Sequence, residues 1–401
     1  MKTFLGYPRP NGSFGIRNWV LIIPAQREVN ILAKKISQMV NGTKVILTTG
    51  EGGRPKNDRK TIARTFIGLG INSNIAGVLV IGLQKGYGYP ELHEDILTEQ
   101  IKTETGKPVR TLIVSDSGGF YSALGEGIRV ARELVNEATN IRRVPCALSN
   151  LKIGIKCGMS DPTSGIVGNP VVGKVLDIIV AAGGMGFFSE TTELIGAEEI
   201  VAKRGVNSEV EKAILRVVHV TEEKAKATGE DIRSINPIPA NIAAGITTLE
   251  EKSIGAIAKS GSMAIEGVLN YAERPVKPGL YYMDSWMSSL SLPLGYAAAG
   301  VHLFIYQMGG GGMPAYSPMP AINSGIISPL MYVTGNRQTY RQNSDSMDFD
   351  SSAVMEGKQS INEMAERMLD RILEIASGSW TKMESWNYND PTEILLQGPC
   401  F

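Results

Sequence analysis

Residues 149–191 read SNLKIGIKCGMSDPTSGIVGNPVVGKVLDIIVAAGGMGFFSET, and their order decides the fold. A short apolar run, LKIGIKC, stops at a turn rich in Gly, Ser and Asp. A longer apolar stretch, VVGKVLDIIVAA, follows Pro170, and a second short run, MGFF, ends in Ser-Glu-Thr. Short continuous apolar runs fit strands buried on both faces, whereas the longer stretch has helical length. The stretch therefore predicts strand, turn, helix, strand, the repeating unit of a parallel sheet. Pro170 suits the first turn of a helix, where its missing N–H costs nothing.

The same alternation fills the chain upstream. WVLIIPA (19–25), KVILTT (44–49), AGVLVIGL (76–83) and RTLIVSD (110–116) read as buried strands. EVNILAKKISQMV, RKTIARTFIGLG, ELHEDILTEQIKTE and YSALGEGIRVARELVNEAT read as the helices that follow them. Right-handed crossovers make such a series Rossmann-like. Downstream, LYYMDS and VHLFIYQ are further strands, 234–248 is a structured loop, and 309–336 is mostly loop. KQSINEMAERMLDRILEIAS carries apolar residues at 361, 364, 365, 368, 369, 372 and 375, one face of a helix. The expected class is α/β. A Rossmann-like parallel-sheet domain spans 1–145, and a larger α/β domain with a parallel-sheet core and long active-site loops spans 146–401. A chain of 401 residues suits two domains better than one.

Composition excludes several classes. Forty basic and forty acidic residues cancel, so no electrostatic nucleic-acid or membrane partner is expected, and little charge opposes a homo-oligomer. Three cysteines are too few for a disulfide scaffold or a self-ligated iron–sulfur cluster. The N-terminus has no apolar leader and no run reaches the length of a membrane span, which predicts a cytoplasmic protein. No glycine fingerprint follows a strand and no Walker sequence occurs, so no nucleotide cofactor is expected.

In the second half, strands end in polar clusters. Cys157, Ser160 and Asp161 end one; Ser189, Glu190 and Glu193 another; Asp284 and Ser285 a third; Gln307 and four glycines a fourth. Ligands of open α/β sheets bind at the carboxyl ends of strands. Carboxylates gathered there suit a divalent cation or acid–base chemistry. Taken singly, Asp161, Glu190 and Glu193 read more readily as helix caps or first-turn acids, and it is four clusters on one sheet edge that point to a site. The loop TTGEGGRPKND (48–58) reads either as an anion site at a helix N-terminus or as a solvated basic loop. In GITTLEEKSIG (245–255), Thr247 or Thr248 with Glu250 or Glu251 resembles a capping box, which leaves Lys252 as a base or anion contact.

Together these motifs resemble the altronate/galactarate dehydratase family, and within it the sulfolactate sulfo-lyase branch. The pieces are GYPRPNGSFGIRNWVLIIP, KCGMSDPTSGIVGNPVVG, SETTELIGAEEIVAKR, NIAAGITTLEEKSIGAIAKSG, PGLYYMDS and SMDFDSSAVM, in family order over nearly the whole chain. The resemblance implies a lyase that removes water or sulfite from a small 2-hydroxy acid or sugar acid, giving a 2-keto acid. It implies a divalent metal, Fe2+ or Mn2+, and a small subunit carrying the domain that precedes this region in single-chain relatives. It places Ser160, Asp161, Glu190, Lys252 and Asp284 in catalysis and Cys157, Glu190 and Glu193 on the metal. Arg9, Arg17, Asn18, Ser164, Asn169, Thr247, Ser285, Gly310 and Gly311 would bind substrate. The chain departs from the dehydratases in five places: the 48–58 loop has neither the His nor the Cys found there, their Gly-Cys-Glu is GLQKGYG, the Glu before the motif cysteine is Lys156, as in the sulfo-lyase branch, Tyr332 stands for the Lys of a late Pro-x-x-Lys segment, and several residues are inserted at 313–328.

Overall fold

The computed structural model describes residues 2–48, 50–310, 325–389 and 392–401. The class is α/β. A four-stranded sheet runs in the order Thr43–Val45, Trp19–Pro24, Ile75–Gly82, Val109–Ile113, every pair parallel. A seven-stranded sheet runs Ile265–Leu269, Gly279–Met283, Met185–Phe188, Lys152–Gly158, Leu303–Met308, Leu330–Thr334, Phe349–Asp350, also parallel throughout. A small antiparallel sheet joins Phe14–Gly15, Thr3–Pro8 and Val144–Ala147.

Apolar faces explain the layering. Helices Asn30–Met39 and Phe120–Thr139 cover one face of the smaller sheet. Helices Lys56–Ile71, Glu94–Thr105 and Ser291–Ala298 share a single core with side chains of both sheets. A Cβ on Gly68 would stand 2.3 Å from the Ala298 carbonyl oxygen, so glycine sets how closely two of these helices meet. Helices Asn169–Ala181 and Ile361–Ala376 cover the far face of the larger sheet. The Ile361–Ala376 helix buries Met364, Met368, Leu369 and Ile372 and opens with a Ser360/Glu363 capping box. Each such side chain contributes about 1.5–3 kcal/mol when fully buried.

Three sequence expectations need correction. Leu330–Thr334, expected as loop, is a fully buried strand, because five apolar or β-forming residues pair beside Leu303–Met308. Of KVILTT (44–49) only Lys44 and Val45 lie in the observed strand, which begins at Thr43, among the described residues. Ser164–Ala181 does reach the length and hydropathy of a membrane span, but 56% of that stretch is buried inside the protein, where it serves as a core helix.

In the larger sheet the first strand, Lys152–Gly158, lies in the middle. Met185–Phe188 pairs on one side of it and Leu303–Met308 on the other. This reversal of winding opens a crevice at the strands' carboxyl ends. Cys157 stands level with Gln307 there, and Gly158 with Met308.

Candidate active site

Five elements converge on that crevice. The Lys152–Gly158 strand delivers Lys156 and Cys157. Glu190 follows the Met185–Phe188 strand, and Glu193 ends the short turn Thr191–Glu193. Lys252 lies on the helix Leu249–Ile257, and Lys259 on the turn Ala258–Ser260 that closes it. All six side chains are buried, Glu190 completely. Glu190 takes φ 79°, a left-handed conformation costly for a residue with a Cβ. The surrounding contacts hold it there.

The hydrogen bonds form one knot. The Lys259 ammonium donates to Glu190 Oε2 at 2.5 Å and Glu193 Oε2 at 2.7 Å, and lies 3.1 Å from Cys157 Sγ. These are three partners for three N–H groups. Lys156 Nζ donates to Glu190 Oε1 and to the Cys157 carbonyl, and sits 5.3 Å from the centre of the Tyr306 ring. The Cys157 N–H donates to Glu190 Oε2 and its thiol to Glu193 Oε2. Lys252 Nζ donates to Asn236 Oδ1 at 2.8 Å and lies 3.7 Å from Glu193 Oε1.

Three lysines thus face two carboxylates. Burial opposes every charge here, and the ion pairs override it. Burial lowers Lys259, but Cys157, Glu190 and Glu193 hold it well above the usual lysine range. Burial also lowers Lys156, while Glu190, Tyr306 and Glu193 raise it on balance. Burial raises Glu193, yet Lys259, Lys252 and Lys156 pull it down to about 2. Burial and the Glu193 charge push the Cys157 thiol upward. The contact network therefore carries one surplus positive charge. Asp161 stands outside it: its oxygens accept from Ser164 N, Thr163 Oγ1, Gly310 N and Asn336 Nδ2.

A cavity of about 260 Å³ adjoins the knot, lined by Ser160, Asp161, Ser164, Asn169, Lys252 and Gly255 among others. Lys252 belongs to both, so it links the cavity to the buried charges. Among the described residues Asn169 Oδ1 is buried without a partner, an acceptor open to a ligand hydroxyl.

The sequence-derived metal ligands meet as expected in space. Donor atoms of Cys157, Glu190 and Glu193 lie within 4.8 Å of one another, a spacing that can hold a metal ion. The Lys259 ammonium already occupies the space between these side chains. As arranged, the residues do not fit a divalent cation.

The other sequence-derived residues divide. Ser160, Asp161, Ser164, Asn169 and Lys252 come together at the cavity. Gly310 reaches this region through its bond to Asp161, and a Cβ there would stand 2.5 Å from Asn336 Nδ2. Gly311 lies outside the described residues. Asp284 accepts from Thr191 Oγ1, and the Ser285 carbonyl accepts from the Thr191 N–H, so both brace the Glu193 turn. Thr247 is exposed and donates to the Glu251 carboxylate, while Thr248 caps the helix by accepting from Glu251 N. Arg9, Arg17 and Asn18 are not brought to the cavity. Arg17 gives its donors to Glu384, Ile16 O, Ile375 O and Ser379 O. Arg9 binds Ser73 O, Arg17 O and Asn18, and Asn18 binds Ala138 O. These donors tie the N-terminal strands to the core, which leaves no fork for a substrate carboxylate on Arg17. The 48–58 loop is covered by the chain's own end, with Phe401 N bonded to Gly53 O and Arg54 to Gly398 O.

Lys259 is the residue that sequence reasoning missed. Its signal was its spacing from Lys252: seven residues, two helical turns, places both on one face.

Comparison with known proteins identifies the family. The family model described as D-galactarate/altronate dehydratase, C-terminal, matches residues 148–396. The model described as D-galactarate dehydratase/altronate hydrolase, second domain, matches residues 6–139. The chain is 32% identical over 393 residues to the (2R)-sulfolactate sulfo-lyase subunit beta of Chromohalobacter salexigens, covering 97% of this chain and 96% of that one. It is 29% identical over 405 residues to altronate dehydratase of Bacillus subtilis, covering 98% and 77%. It is 29% identical over 343 residues to galactarate dehydratase (L-threo-forming) of Escherichia coli, covering 84% and 63%. The chain belongs to the D-galactarate/altronate dehydratase family and is an enzyme of the lyase class.

Proposed function

We propose that this lyase carries out α,β-elimination on a small 2-hydroxy acid in the cavity beside Lys252, and that the acid carries two anionic groups. The observation that carries the reading is Lys252, a buried ammonium that lines the cavity and joins the knot in which three lysines face two carboxylates. An uncompensated buried charge is costly, and an anionic substrate relieves it. The α-proton beside a carboxylate is only weakly acidic, so charge growing on that carboxylate must be stabilised as the proton leaves. Lys252 would hold the carboxylate there. Glu193, 3.7 Å from Lys252 Nζ, would orient that ammonium, and the Asp161 carboxylate on the cavity wall would take the α-proton. Asn169 Oδ1 would accept from the 2-hydroxyl.

Between the two leaving groups, sulfite is the better match. The sulfo-lyase subunit beta aligns over 96% of its own length and over 97% of this chain. A small partner subunit, assembly as a homo-oligomer and a cytoplasmic location complete the proposal. Fe2+ or Mn2+, implied by the family resemblance, has no role in it while Lys259 holds the ligands.

The test is to co-purify the chain with its small partner and offer sulfolactate, altronate and galactarate in separate assays. Equimolar pyruvate and sulfite from sulfolactate is the expected result. A 2-keto acid from the sugar acids alone would make it a hydro-lyase, and no product from any of them would sink the elimination reading.

A further inference from the structure

We infer that Lys259 is the resident cation of this centre and stands where a divalent ion would bind, so that the centre works without metal. The Lys259 ammonium touches all three candidate ligands, at 2.5 and 2.7 Å from the two carboxylates and 3.1 Å from sulfur. These are hydrogen-bond lengths. A transition metal would sit at about 2.0–2.3 Å from the same oxygens and sulfur. An ion placed among these atoms would collide with Nζ, because Nζ already occupies the space between them.

Charge points the same way. Two carboxylates already face the ammoniums of Lys156, Lys252 and Lys259. A divalent ion would add two positive charges to a buried group that already has one too many, and like charges at such distances repel strongly in a low dielectric. Lys259 cannot swing out to make room. It is 2% exposed and sits on a turn clamped beneath the Asn169–Ala181 helix, where a Cβ on Gly173 would lie 2.2 Å from the Ala258 carbonyl oxygen. The Lys259 side chain thus supplies in one covalent piece what a bound ion would supply: a fixed cation holding Glu190 and Glu193 together.

The experiment measures metal directly, apart from catalysis. Wild-type protein, Lys259→Ala and Lys259→Met are each dialysed against EDTA and titrated with Co2+, with thiolate-to-cobalt absorption and bound metal as readouts. Wild type is expected to bind no cobalt through sulfur and to keep its Tm through the EDTA step. Shortening Lys259 is expected to create a site for one equivalent, with an absorption band that disappears when Cys157→Ala is added. A Cys157-dependent band in wild type, or a wild-type Tm lowered by EDTA, overturns the inference. So does a folded Lys259 variant that gains no cobalt. These results hold whichever substrate is turned over. A chain that fails every elimination assay and still shows them keeps this inference and loses only the proposed reaction.

Discussion

Glu190 meets Lys259 at 2.5 Å from a left-handed backbone, φ 79°, that few residues with a side chain adopt. The carboxylate is completely buried, and its other oxygen takes Lys156. Neutralising it therefore leaves Lys156 with no carboxylate in contact among the described residues and Lys259 with Glu193 alone. Removing one partner of a buried ion pair costs about 3–5 kcal/mol. Glu190→Gln should lose stability of that order in urea unfolding at neutral pH. A loss below about 1 kcal/mol, the range of surface pairs, would show that the pair is not the buried one described.

The depressed Glu193 makes acid stability sensitive to this one residue. Its folded value is about 2, below the ordinary 4.5, so its contribution is present above the unfolded value and fades as pH falls from about 4.5 towards 2. One proton changes stability by at most about 1.4 kcal/mol per pH unit. Glu193→Gln should be less stable than wild type at pH 6, and the gap should narrow as pH is lowered through 4. Chemical denaturation at a series of pH values measures it, and a gap that widens in acid contradicts the assignment.

Gly173 and Lys259 are coupled through backbone. A Cβ at position 173 would press on Ala258 O at 2.2 Å and on Gly261 N at 2.8 Å, and neither is a flexible side-chain end. Gly173→Ala should cost about 1–3 kcal/mol, the usual penalty of overpacking, and should lower kcat by displacing Lys259. Thermal melts paired with steady-state kinetics would show it; an unchanged Tm would mean that the turn has slack.

The cysteines should react very unequally. Cys400 is exposed, whereas Cys146 and Cys157 are buried with their thiols pushed upward by burial. Iodoacetamide at neutral pH should modify Cys400 in the folded protein and the other two only after unfolding. Peptide mass mapping reads this directly, and rapid labelling of Cys157 would contradict its burial.

The alternation of short apolar runs with helical stretches was enough to read the α/β class, the parallel strands and the helices that cover them, because backbone pairing and burial follow local periodicity. The strand-end clusters at Cys157, Glu190 and Glu193 were legible for the same reason, since the carboxyl ends of parallel strands share one edge. Leu330–Thr334 was hidden inside a glycine- and proline-rich stretch, and its pairing depends on a neighbour at Leu303–Met308 that no local pattern reveals. Arg9 and Arg17 looked like carboxylate forks, and only the folded chain brought Glu384 and several carbonyls to occupy them. The sequence by itself determined which residues stand at the crevice. Tertiary structure alone decided the cation among them, because Lys259 reaches Cys157, Glu190 and Glu193 across 102, 69 and 66 residues of chain, and electrostatics between such distant groups exists only once packing has excluded water around them.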